Sequence, residues 1–109
     1  MNQKVFFLKQ MKEYIEENGF ILVFREASIQ FMQSTGMSMN ELKDIILGLN
    51  ESDLFDGPEE DRDERYSQWT VAEFAPKWRN EYLYLKISIR NDNHRCKCLS
   101  VKIYTDRRS

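Results

Sequence analysis

Residues 82–89 read Tyr82-Leu83-Tyr84-Leu85-Lys86-Ile87-Ser88-Ile89. Leu83, Leu85, Ile87 and Ile89 occupy every second position, the period of a β-strand with one buried face. Tyr82, Tyr84, Lys86 and Ser88 form the opposite face. Asn91-Asp92-Asn93 supplies turn residues, and residues 96–104 alternate again. The pattern predicts a hairpin in which Leu99, Val101 and Ile103 join the core. Cys98, Ser100, Lys102 and Tyr104 would then share the face of Tyr84 and Lys86. A further strand is expected over 68–75, around Trp69, Val71 and Phe74.

Upstream the period changes from two to about 3.6. A helix over 3–18 turns Val5, Leu8, Met11 and Ile15 inward, with Phe7 and Tyr14 flanking and Gly19 at its end. The apolar run 20–24 suits a short buried strand or an extended connector. A second helix spans 25–35, with Ile29 and Met32 inward. Ser38 and Glu41 have capping-box spacing. Leu42, Ile45, Ile46 and Leu49 follow at i, i+3, i+4 and i+7. Asn50 to Asp53 reads as a short cap and turn, and 56–66 as a charged loop opened by the Gly57-Pro58 turn. Helices followed by an antiparallel meander predict an α+β fold, N-terminal helices packed on a C-terminal antiparallel sheet. At 109 residues, the chain is expected to be one domain, 1–109.

Composition narrows the class. With 41% hydrophobic and 31% charged residues and only 4 Gly and 2 Pro, the chain is globular rather than disordered or fibrous. The longest apolar run is five residues, too short for a bilayer, and the N-terminus lacks the pattern of a signal peptide. No membrane association and a cytoplasmic location are expected. Cys96 and Cys98, two apart on one strand face and about 6–7 Å from each other, are poorly placed for a mutual disulfide. They are expected to be reduced thiols. One histidine, His94, leaves no four-ligand zinc site.

Net charge is −2, but unevenly spread. Residues 51–76 hold nine acidic and two basic groups, and residues 77–109 nine basic and three acidic. The basic third suits a polyanion. Lysines and tyrosines interleaved on one sheet face suit phosphate contact and base stacking. An ordinary solvated sheet face shows the same pattern. No nucleophile–histidine set and no phosphate-cradling glycine loop is present. The carboxylates of 51–64 lack calcium-loop spacing and read as a solvated or partner-facing loop.

Residues 45–55, Ile-Ile-Leu-Gly-Leu-Asn-Glu-Ser-Asp-Leu-Phe, resemble the IIGLSESDFY stretch of the MqsR family of toxins from bacterial toxin–antitoxin pairs. Residues 57–63 are similar to that family's GPxxDRD continuation, Trp69 to its following aromatic, residues 84–87 to YLKI, and residues 98–102 to its closing strand. The resemblance runs in order over about 38–104. It implies a RelE-like fold and a sequence-preferring mRNA endonuclease that uses no metal and no cofactor. The substrate 2′-hydroxyl attacks the adjacent phosphate, and a cognate antitoxin, helix-turn-helix or zinc-binding, restrains the enzyme. By resemblance, Tyr84 is a catalytic proton handler or orienter and Lys102 a phosphate stabiliser or general acid. Lys86, Arg62, Gln68 and Ser100 are the expected RNA contacts. The chain departs from the pattern at Asp56, where the family has a basic residue, and at Thr70, where it has glutamine. Those departures suit an alternative, a catalytically inactive binding module acting through protein–protein contacts.

Overall fold

The computed structural model describes residues 2–105. In chain order the elements are α1 (Gln3–Asn18), β1 (Ile21–Leu22), α2 (Glu26–Thr35), α3 (Met39–Leu47), β2 (Leu54–Glu60), β3 (Trp69–Phe74), β4 (Lys77–Trp78), β5 (Glu81–Arg90) and β6 (Arg95–Ile103). Single 3-10 turns lie at Glu51–Asp53 and Glu64–Tyr66. The fold is α+β, three helices against a sheet of order β1-β6-β5-β3-β2, with β4 hairpinned onto β5. The meander from β2 to β6 is antiparallel. The sheet as a whole is mixed, because β1 pairs parallel to β6.

The helices begin and end where the chain supplies caps. The Asn2 side chain accepts the Val5 N–H at 2.8 Å, and the Ser38 hydroxyl accepts the Glu41 N–H at 3.0 Å. The Glu41 carboxylate does not return that bond. It accepts from Trp78 Nε1 at 3.1 Å instead, tying α3 to the β4–β5 hairpin. The reciprocal box forms one turn later, where Asn50 accepts from Ser52 N–H and donates its own N–H to Asp53.

Several expected core positions move. In α1 the buried stripe is Phe7, Leu8, Met11, Tyr14 and Ile15, while Val5 is exposed. The stripe keeps helical spacing but is rotated so that two aromatic rings enter the core, where they bury the most apolar area. In α2, Ser28 and Phe31 face inward and Ile29 and Met32 are only half-buried. Leu42, Ile46 and Leu49 are buried as expected.

The expected loop 56–66 starts five residues later. Residues 56–60 belong to β2, which pairs with β3 through two register irregularities. Gly57 sits there at φ +88°, and a Cβ at this position would lie 2.6 Å from the Val71 carbonyl oxygen. Only glycine admits that approach.

The hairpin is the expected one, with one extra residue. Leu83, Leu85, Ile87 and Ile89 are all buried in the core cluster. On β6 the register runs Lys86↔Ser100, then Ile87↔Cys98, so Leu99 is bulged out of the ladder. The bulge reverses the faces on its N-terminal side. Cys96 and Cys98 enter the core with Val101, and Leu99, though buried, leaves the core cluster. The edge of β6 beyond β1 is closed by α2, whose Ser28 hydroxyl accepts the buried Val101 N–H at 3.0 Å.

Candidate functional site

The sheet face turned away from the core can be followed row by row from the strand registers. Tyr84 lies opposite Lys102. The next row is Asp56–Glu73–Lys86–Ser100, then Glu59–Val71–Ser88–Lys97, then Trp69–Arg90–Arg95. Rows are about 7 Å apart, two residues of strand rise. Carboxylates therefore gather on the β2 and β3 side and cations on the β6 side, with Tyr84 and Lys86 at the seam.

Tyr84 is half-buried. Its ring stacks on Tyr104 at 6.3 Å between centroids and meets Phe55 at 6.2 Å. The Lys102 ammonium stands 5.3 Å from the ring centroid, within cation–π reach. Burial pushes the Tyr84 phenol up to about 12, the Glu73 charge, a Glu73 hydrogen bond and Asp56 add to it, and Arg25 opposes. At neutral pH this hydroxyl is protonated and donates; it is not a phenolate base.

Of the six residues expected from sequence, four come together. Tyr84, Lys102, Lys86 and Ser100 form two adjacent cross-strand pairs. Ser100 is 9% exposed, so it underlies the face rather than projecting from it. Arg62 shares only a cavity with Lys86 and does not reach the Tyr84–Lys102 pair, and Gln68 lies apart from all four. Arg62 sits beyond β2, 3.6 Å from Glu59, on the rim of an acidic cavity of about 220 Å³ that Asp56, Glu59, Glu73 and Lys86 also line. Gln68 precedes Trp69, which pairs with Arg90 at the far end of the sheet, roughly 20 Å along the strand from the Tyr84 row. Thr70 pairs with Ile89 on the core-facing side.

The face is less solvated than its polar residues suggest. Ser88 is fully buried and its hydroxyl has no partner among the described residues. Lys97 lies 4.0 Å from the Trp69 ring centroid and 4.7 Å from that of Tyr66, so its stem crosses β5 to reach them. Burial draws the Lys97 pKa down, as does Arg25, against Asp61.

Three contributors escape a sequence reading. Glu73 is legible in hindsight, since Trp69, Val71 and Glu73 alternate against the core residues Ala72 and Phe74. Phe55 meets Tyr84 only because β2 pairs on the far side of β3. Arg25, at the start of α2, has no local signal, because α2 is brought to β6 by tertiary packing.

Among the described residues no group of three or more His, Cys, Asp or Glu side chains is arranged to hold a metal ion. No described helix is long and apolar enough to cross a membrane. Comparison with protein-family models gives no match, and comparison with curated proteins gives none either.

Proposed function

We propose that this chain is an RNA endonuclease of the MqsR/RelE-like type, acting in the cytoplasm and restrained by a cognate antitoxin protein. The observation that carries the reading is the cross-strand pair Tyr84–Lys102, with the ammonium 5.3 Å over the ring. These two residues are the ones that the family resemblance marks as catalytic. Lys86 lies one row away, and Arg25 is close enough to act on the Tyr84 phenol.

The chemistry asks little more of the protein. An RNA 2′-hydroxyl attacks the neighbouring phosphorus, and the enzyme holds the strand in line while stabilising charge on the phosphate oxygens. Lys102 supplies the positive charge, and Tyr84 donates a hydrogen bond from its protonated hydroxyl. The aromatic group of Phe55, Tyr84 and Tyr104 offers ring faces to an unpaired base.

The test is expression of the chain alone, with growth and RNA 5′ ends followed. Lys102→Ala is expected to lower cleavage about 10²–10³-fold, the worth of one well-placed donor. Tyr84→Phe keeps the ring and is expected to cost at least about 10²-fold. Equal cleavage by both variants would move the site elsewhere.

A second reading, a catalytically inactive binding module, is favoured by the run of carboxylates Asp56, Glu59 and Glu73 on the same face. They repel phosphate and would suit a basic protein partner. A folded, antitoxin-free wild type inert toward RNA would establish this second reading over the first.

A further inference from the structure

The nuclease reading leaves one proton without an acceptor. Attack by a 2′-hydroxyl needs a base, and neither a protonated phenol nor a lysine ammonium is one. We propose that Glu73 is that base, a catalytic residue that takes the 2′-hydroxyl proton directly; this rests on the nuclease reading.

The geometry sets Glu73 apart from the other carboxylates among the described residues. It lies on β3, half-buried, opposite Lys86 in the ladder and next to the Tyr84 row. Its charge is felt at the Tyr84 phenol, which it helps to raise, so its carboxylate stands beside the catalytic pair. Asp56 stands on its other side on β2, and both line the same cavity with Lys86. Asp56 is exposed and one strand further from Tyr84 and Lys102. The titratable and charged groups around Glu73 are Asp56, Glu59 and Glu60 from β2, Tyr84 and Lys86 from β5, and Asp61 and Arg62 beyond β2; Lys102 and Arg25 act on the neighbouring Tyr84.

The step balances without further reactants. The O2′–P bond forms and the P–O5′ bond breaks. The 2′-hydroxyl proton passes to the Glu73 carboxylate, and the leaving 5′-oxygen takes a proton from the Lys102 ammonium. The products are a 2′,3′-cyclic phosphate and a 5′-hydroxyl. Water then returns Glu73 and Lys102 to their starting states.

The experiment is single-turnover cleavage of a single-stranded RNA oligonucleotide by purified wild type, Glu73→Gln and Glu73→Asp over pH 4–8. Folding is checked by thermal melts, and binding by a matched oligonucleotide with 2′-deoxyribose throughout. Glu73→Gln keeps the side-chain length and an oxygen for Tyr84. It is expected to cleave about 10²–10⁴-fold more slowly, to lose the rise of rate with pH on the acid side, and to bind the deoxy oligonucleotide at least as well as wild type. Glu73→Asp is expected to retain the rise in rate at reduced amplitude. A Glu73→Gln variant that cleaves as fast as wild type or faster, or that keeps the wild-type pH profile, overturns the proposal and leaves Glu73 an electrostatic brake. In that case the nuclease reading stands, because the wild type has cleaved. A folded wild type that does not cleave overturns both.

Discussion

Cys96 and Cys98 test the bulge at Leu99, which decides which side chains of residues 95–98 reach the outer face of the sheet. Strict alternation would put both thiols on the outer face with Lys86 and Lys102. The bulged register puts them in the core at 3% and 0% exposure. Burial pushes each thiol from its ordinary 9.0 up to about 12. Only the thiolate reacts with an aromatic disulfide reagent. A thiol raised that far holds about 10³-fold less thiolate near pH 8 than an ordinary one, before any loss of access is counted. Native labelling is therefore expected to be at least about 10³-fold slower than for an exposed cysteine, and to proceed through opening of the fold. In denaturant both thiols should label at once and to completion. Each single variant, Cys96→Ala and Cys98→Ala, assigns the remaining thiol. If either cysteine labels in the native protein at the rate of a free thiol, the Leu99 bulge is misplaced. The outer rows Ser88–Lys97 and Arg90–Arg95 would then have to be redrawn, while the pairing of Tyr84 with Lys102, on the other side of the bulge, would stand.

Other outcomes can be checked alongside. Leu85→Ala removes a fully buried side chain from the centre of β5 and is expected to cost roughly 2–5 kcal/mol in denaturant melts; a cost below about 0.5 kcal/mol would mean β5 is displaced by one residue. Ser28→Ala strands the buried Val101 N–H, a loss of about 1–3 kcal/mol, with cleavage falling too if α2 holds β6 in register. The Tyr84 phenol is raised to about 12 in the fold against about 10 unfolded, so its contribution to stability is complete below pH 10 and is lost as pH rises from 10 to 12. Burial also raises the Tyr14 phenol, so ultraviolet titration should show both ionising late, and Tyr84→Phe should remove one of them. Calorimetry with Ca²⁺ or Mg²⁺ is expected to give no binding tighter than millimolar at the acidic segment 51–65, and a micromolar titration would reopen a metal-dependent mechanism.

The strand alternation of 82–89, the helix stop at Gly19 and the Ser38 cap are local facts. Period and capping depend on neighbours within about four residues, so the sequence by itself determined the helices, the hairpin and the shared face of Tyr84 and Lys102, while their direct pairing is a matter of register. It determined equally that the acidic and basic charges lie in separate thirds of the chain. What it did not determine were features set by contact between distant segments. The Leu99 bulge arises where β6 passes from β1 to α2 as its edge neighbour, a change visible only in three dimensions. The inward turn of Phe7 and Tyr14 depends on what α1 meets, such as the Phe74 ring at 6.1 Å. The arrival of Arg25, Phe55 and Glu73 around Tyr84 likewise follows from sheet order and helix docking. One-dimensional periodicity carries no information on either, because the residues that meet are separated by tens of positions along the chain.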